Sequence, residues 1–169
     1  EYTDLGDGTH SRGGCEICLA TFENKAHSFG NDIECPCGAF ARVKVDGAFY
    51  YTLEEALENW ADGTTLTLYD NIEYTGKTIS ITEKSVTLDL NGCSIVSEDA
   101  VFNVGGESLD IVNDIATPIE GGLTIIEGGD GGYIEGGYYT IRVYGDLILE
   151  SGTVNGMITV SKCGYFEMT

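Results

Sequence analysis

From Thr64 onward the chain repeats one phrase: apolar-x-apolar, a corner rich in glycine or asparagine, then apolar-x-apolar again. Leu66/Leu68, Ile79/Ile81, Val86/Leu88/Leu90, Cys93/Ile95 and Leu109/Ile111 alternate with Thr, Ser, Asp or Lys. That period of two sends one face of a strand inward and the other to water. Pairs such as Asn91-Gly92, Gly105-Gly106, Gly121-Gly122, Gly136-Gly137 and Asn155-Gly156 cut the run into short pieces. A sandwich and a solenoid both use such strands, and internal similarity separates them. Val101–Ile111 aligns with Ile141–Leu149 and with Ile158–Met168; the last two copies start 17 residues apart, and Leu88/Leu90 lie 21 before Leu109/Ile111. Repeats near 20 residues fit single coils of a parallel β-helix, whereas sandwich strands give hairpin turns and no such echo. The expectation is an all-β chain whose residues 42–169 hold a strand, a helix and then the first coils of a solenoid.

Residues 1–41 break the pattern. They hold four of the six cysteines and both histidines, as His10-x4-Cys15-x2-Cys18-x8-His27-x7-Cys35-x-Cys37. The segment is rich in turn formers and too small to fold around an apolar core alone. Packing does not explain such crowding of soft ligands, but a metal site does. Zinc takes four tetrahedral N/S ligands, and a Cys-x2-Cys pair lets two thiolates reach one ion from a single turn. Spacing offers a set that pairs the two cysteine turns, Cys15, Cys18, Cys35 and Cys37, in which Cys37-Gly38 closes a turn whose Cys-Pro-Cys gap is one residue short of the usual spacing. A disulfide network is the alternative, since six is an even count and an extracellular setting permits it. A catalytic zinc would need an open position and a general base, and six soft ligands over-fill such a site. The expected cofactor is therefore a structural zinc, with on the order of 10 kcal/mol of folding free energy to contribute.

Between these regions, Val43 and Val45 read as a brief strand ending at Asp46-Gly47. Thr52-Leu53-Glu54-Glu55 is a capping box, and Leu53, Ala56, Leu57 and Trp60 share one face of a helix of about nine residues. Twenty-eight acidic against eight basic residues give a net charge of −20, about −17 of it after residue 44. Such a field repels nucleic acid and anionic lipid, so neither is expected as a partner. No run of 18 apolar residues exists to insert into a membrane. An apolar share of 42% and ten tyrosines argue for a packed core rather than disorder. The chain opens without Met or a leader and stops at Phe166-Glu167-Met168-Thr169, in what reads as a strand, so it is expected to be a piece of something longer. Its Tyr/Thr/Gly/Asp-rich, Lys-poor composition suits an extracellular bacterial protein.

No catalytic set emerges. A polysaccharide lyase needs a cationic base and a hydrolase needs clustered carboxylates, yet the repeat region offers only Lys77, Lys84, Arg142 and Lys162, widely separated, and no histidine. Arg142 sits between inward Ile141 and Val143, so it should face solvent. Asp4–Gly8 and Gly128–Gly132 give too few carboxylates for calcium and read as turns. Cys93 has the parity of Ile95 and should be a small buried thiol; Cys163 lies at a corner and takes no assignment. Tyr133, Tyr138, Tyr139 and Tyr144 cluster around a Gly-rich stretch, either as a stacked ladder on one face or as an exposed contact surface for carbohydrate or protein.

The segment Tyr51–Ile95, with its Leu88-Asp89-Leu90-Asn91-Gly92 corner, resembles the entry to right-handed parallel β-helix (pectin-lyase-like) regions in large surface proteins of Gram-positive bacteria. Likewise Asp7-Gly8-Thr9-His10 followed by Cys15, Cys18 and His27 resembles the His/Cys repeats of clostridial-type cell-surface proteins. The resemblance implies a short helix capping the first coil and a self-contained His10/Cys15/Cys18/His27 zinc set. It also implies an adhesin-like, non-catalytic role: a secreted or wall-attached module that recognises a host or cell-surface protein or glycan. A fragment of a carbohydrate-active enzyme and a purely structural spacer are the competing expectations.

Overall fold

A computed structural model of the chain describes residues 2–4, 9–12, 25–29, 32–110 and 115–169. It is mostly β with one helix among the described residues, and it divides into two compact units, Glu1–Asn59 and Trp60–Thr169.

The first unit opens with an antiparallel sheet of β1 (Tyr2–Asp4), β2 (Thr9–Arg12) and β3 (Lys25–Ala26). A tight turn at Cys35–Gly38 follows, flanked by an antiparallel bridge between Glu34 and Phe40. Then β4 (Val43–Val45) and β5 (Ala48–Tyr50) form a hairpin closed by Asp46-Gly47, both at positive φ as a two-residue hairpin turn requires. The helix α1 (Leu53–Glu58) starts on the expected capping box: Thr52 accepts from the Glu55 amide, and the Glu55 carboxylate reaches back to the Thr52 amide. It is shorter than its apolar spacing predicts. The Asn59 side chain donates to the Glu55 carbonyl at 2.9 Å and ends the last turn. Leu53 and Ala56 are buried, and Leu57 is half-buried.

The second unit runs β6 (Thr65–Leu68), β7 (Ile72–Glu73), β8 (Ile79–Ile81), β9 (Ser85–Asp89), β10 (Ser94–Val96) and β11 (Phe102–Val104). A hairpin of β12 (Gly106–Asp110) and β13 (Ile115–Ile119) interrupts, and the chain resumes as β14 (Gly122–Ile126), β15 (Tyr133–Glu135) and β16 (Ile141–Val143). It closes with β17 (Asp146–Leu149), β18 (Thr153–Asn155), β19 (Ile158–Val160) and β20 (Tyr165–Met168). Hairpin aside, every third strand pairs with the one before it, always in parallel. Sheet 1 is β6-β9-β14-β17-β20, sheet 2 is β7-β10-β15-β18, and sheet 3 is β8-β11-β16-β19.

Register places like on like. Leu66, Leu88, Ile125, Leu149 and Met168 form one column of sheet 1. Ile72, Ile95, Ile134 and Val154 line sheet 2, while Ile79, Phe102, Ile141 and Ile158 line sheet 3. The middle members are buried and carry the core, each Leu, Ile or Phe contributing roughly 1.5–3 kcal/mol. The 17-residue echo of Ile141–Val143 at Ile158–Val160 is one of these parallel pairings.

Three expectations need correction. Leu109 does not begin a coil: it lies in β12, which folds back antiparallel on β13, and the partner of Leu88 is Ile125. Ile111 lies outside the described residues. A hairpin strand and a coil strand share the period of two, so alternation alone cannot tell them apart. Cys93 is half-buried, because it still belongs to the Asn91-Gly92 corner; the strand begins at Ser94, and its Sγ lies 3.7 Å from the Asn91 carbonyl. Arg142 does point away from buried Ile141 and Val143, but the residue is half-buried and its guanidinium lies over the Tyr139 ring at 4.9 Å. No helix among the described residues is long and apolar enough to cross a membrane.

Candidate functional site

The Cys35-Pro36-Cys37-Gly38 turn folds for local reasons. Proline presets the second turn position, and the Gly38 amide closes the turn on the Cys35 carbonyl at 2.8 Å. Gly38 takes φ +90, where a β-carbon would be strained. The Cys35 amide then donates to Ala39 at 2.8 Å, locking the knuckle. Both thiols turn toward His27, whose ring lies against Tyr51 with centroids 4.5 Å apart and against Phe29 at 5.9 Å. The His27 Nδ1 is 3.3 Å from the Cys37 Sγ, and one ligand atom from each of His27, Cys35 and Cys37 lies within 4.8 Å of the others.

These three side chains could hold a metal ion. Tetrahedral zinc with bonds of about 2.0–2.3 Å spaces its ligand atoms about 3.3–3.8 Å apart, so a modest contraction would seat an ion. The surroundings fit that use. Cys35 is 1% exposed, in a small apolar cluster with Phe29, Ala39 and Ala41, edged by Ile33, Cys37, Phe49 and Tyr51. Burial there pushes the Cys35 thiol pKa up, but the Cys37 amide, His27, the Ser28 amide and the Cys37 thiol outweigh it and bring it down to about 7. A thiolate buried in an apolar cluster needs a cation beside it.

Of the expected ligands, the structure thus joins His27 from one set to Cys35 and Cys37 from the other. Cys15 and Cys18, common to both sets, lie outside the described residues. His10 is placed in β2 by its backbone, opposite Lys25. Burial first, then Asp70 and Glu127, push the Cys93 thiol pKa up, which keeps it protonated. Cys163 is an exposed free thiol.

Metal binding at this knuckle should depend on pH in a defined direction. The folded Cys35 pKa of about 7 lies below the ordinary 9.0, so the metal-free fold gains from the thiolate above about pH 9 and loses that gain as pH falls through 7. Protons then also compete with the ion. Competition against a chromophoric chelator should show apparent affinity falling roughly tenfold per pH unit below 7 for each thiolate that must deprotonate. A flat profile would remove the thiolates from the site.

Two surface features accompany the knuckle. Tyr138 is 75% exposed and stands edge-on to Tyr139, centroids 4.6 Å apart, with Arg142 over Tyr139. Tyr133 starts β15 in register with Ser94 and Thr153, and Tyr144 follows β16. The second feature is a groove over the outward side of sheet 1. Adjoining depressions of ≈ 490, 380 and 220 Å³ share Ser85; Pro118, Ile119, Glu120 and Gly121 wall the two larger ones. Asp62, Glu83, Glu120 and Asp146 line it, along with Lys84, and Tyr144 and Cys163 reach its far end. Reading the β12–β13 segment as a coil hid this groove. Pro118 was the available signal, since proline does not sit inside a central strand.

Comparison of the chain with protein-family models, with curated proteins and with solved structures found no match.

Proposed function

We propose that the chain is a non-catalytic recognition module of a secreted or wall-attached bacterial surface protein. In this reading a structural zinc at His27, Cys35 and Cys37, with a fourth ligand from His10, Cys15 or Cys18, stabilises the first unit. The second unit is the start of a right-handed parallel β-helix. The observation that carries the reading is the in-register stacking of apolar columns in three parallel sheets. A core packed rung on rung is rigid and leaves its outer faces and insertions for contact with a host or cell-surface protein or glycan. Zinc is favoured over other ions because two thiolates and an imidazole suit a borderline-soft, tetrahedral metal.

A second reading, a fragment of a carbohydrate-active enzyme, draws on one observation: the carboxylates lining the groove over sheet 1. One preparation separates the two. Elemental analysis should give one zinc per chain, with all six cysteines reactive after chelation and unfolding. Arrays of glycans and host proteins should give a saturable ligand without turnover of pectins or mucin glycans. Turnover would establish the enzyme instead, and absence of metal together with six unreactive cysteines would replace the zinc by disulfides.

A further inference from the structure

We propose that the acid-lined groove between the β12–β13 hairpin and the outward side of sheet 1 binds an extended peptide segment rich in lysine or arginine. This inference rests on the recognition reading above and supplies its partner.

The hairpin is the first argument. Among the described residues of the second unit it is the one antiparallel pairing, set between β11 and β14, which keep their parallel registers on either side. The stacked core therefore does not need it. An insertion on one face of a repeat structure is where such folds build contact surfaces, and Pro118 and Ile119 of this one wall the groove.

The second argument is spacing. The Glu83 amide donates to the Glu120 carbonyl at 2.7 Å, and the Asp146 amide donates to the Gly121 carbonyl at 2.8 Å. Glu83 and Glu120 thus sit side by side on adjacent rungs, about 4.8 Å apart, while Asp146 lies on the next rung two residues further along, in register with Gly122 and Ser85; all three are exposed. A peptide lying across these rungs can set cationic side chains against them.

Charge selects the occupant. Lys84 is the one basic side chain among those lining the groove, and its ammonium is already engaged. It donates to the Trp60 carbonyl at 2.5 Å and sits 5.6 Å from the centre of the Trp60 ring. The carboxylates are left facing solvent in a chain of net charge −20. Half-buried Ile119 and Ile148 give the alkyl stems of Lys or Arg an apolar surface to lie on. An acidic glycan would be repelled, and a neutral one would find only half-buried Tyr144 to stack on.

The probe is a labelled alternating Lys-Thr dodecapeptide, titrated into the full chain at physiological salt and followed by fluorescence anisotropy. The double variant Glu120→Gln/Asp146→Asn should weaken binding by about tenfold to a hundredfold, because two charge-assisted contacts are lost. Both side chains are exposed, so circular dichroism and thermal midpoint should not move. A control, Glu98→Gln/Glu150→Gln, removes equal charge from exposed positions outside the groove and should change affinity less than about twofold. Equal weakening by both pairs would assign the binding to the diffuse field and overturn the groove, as would failure of the peptide to bind. If the peptide fails while a glycan or another protein on the arrays binds, the groove falls and the recognition reading stands. Silence in both assays sinks the two together.

Discussion

Stripping the proposed zinc, or the single substitution Cys35→Ser, is expected to unfold the Glu1–Asn59 unit. The magnitudes decide this. The cluster around the knuckle buries Phe29, Cys35, Ala39 and Ala41, which by transfer bookkeeping contributes about 5 kcal/mol in all. A structural zinc contributes about 10 kcal/mol or more in small Cys/His peptides at neutral pH. Without the ion, two thiols and an imidazole remain packed among apolar groups, and whatever charge they carry is no longer compensated. Serine keeps the shape of Cys35 but removes a thiolate ligand, so it should mimic the chelator rather than a cavity mutant. The measurement is amide hydrogen exchange with and without chelator, alongside metal content. Protection across residues 32–51 should collapse in both cases, while the β9, β11 and β14 amides keep theirs, since their burial comes from the stacked columns. Cys93→Ser and Cys163→Ser should leave both metal content and protection unchanged, because neither thiol belongs to the knuckle. Retained protection after complete metal removal would mean that the knuckle stands on hydrogen bonds and packing alone.

What could be read ahead of the structure follows from which forces are local in sequence. The parallel columns were legible because each rung repeats the same two-residue alternation, as at Ile141/Val143 and Ile158/Val160, which pair one on one. The start of α1 was legible because the capping box places donor and acceptor three residues apart. Its end was not, since the Asn59 side chain competes for the Glu55 carbonyl. The hairpin was lost because β12 and β13 alternate as coil strands do, and only the placement of Pro118 marks the difference. At the knuckle, spacing showed which residues are soft ligands but not which ones meet. Cys35 and Cys37 converge through the Gly38 turn despite their short gap, and His27 is held beside them by Tyr51 and Phe29, contacts with no spacing signature.

The second unit should be broken sharply by adding a single methyl group at Gly145. At the corner between sheets 3 and 1, the backbones of Gly105, Gly121 and Gly145 pack against one another. A β-carbon on Gly145 would overlap the Gly121 carbonyl oxygen, and its nearest neighbours are all backbone atoms of Gly121. No flexible side chain can swing aside. The same oxygen accepts the Asp146 amide at 2.8 Å, so relieving the overlap also strains a rung of the parallel ladder. Overpacking of this kind costs roughly 1–3 kcal/mol, and a disturbed buried hydrogen bond adds about 1–3 kcal/mol more. Gly145→Ala should therefore destabilise the unit by about 3 kcal/mol or more. Gly131→Ala isolates the alternative cause. Gly131 holds φ +88 with nothing near its missing β-carbon, so it carries conformational strain without collision and should cost only about 1–2 kcal/mol. Urea unfolding followed through Trp60, the single tryptophan and a buried residue of this unit, reports both variants on one transition. If the two substitutions cost the same, the corner is looser than its backbone contacts imply, and close stacking of successive rungs loses its strongest support.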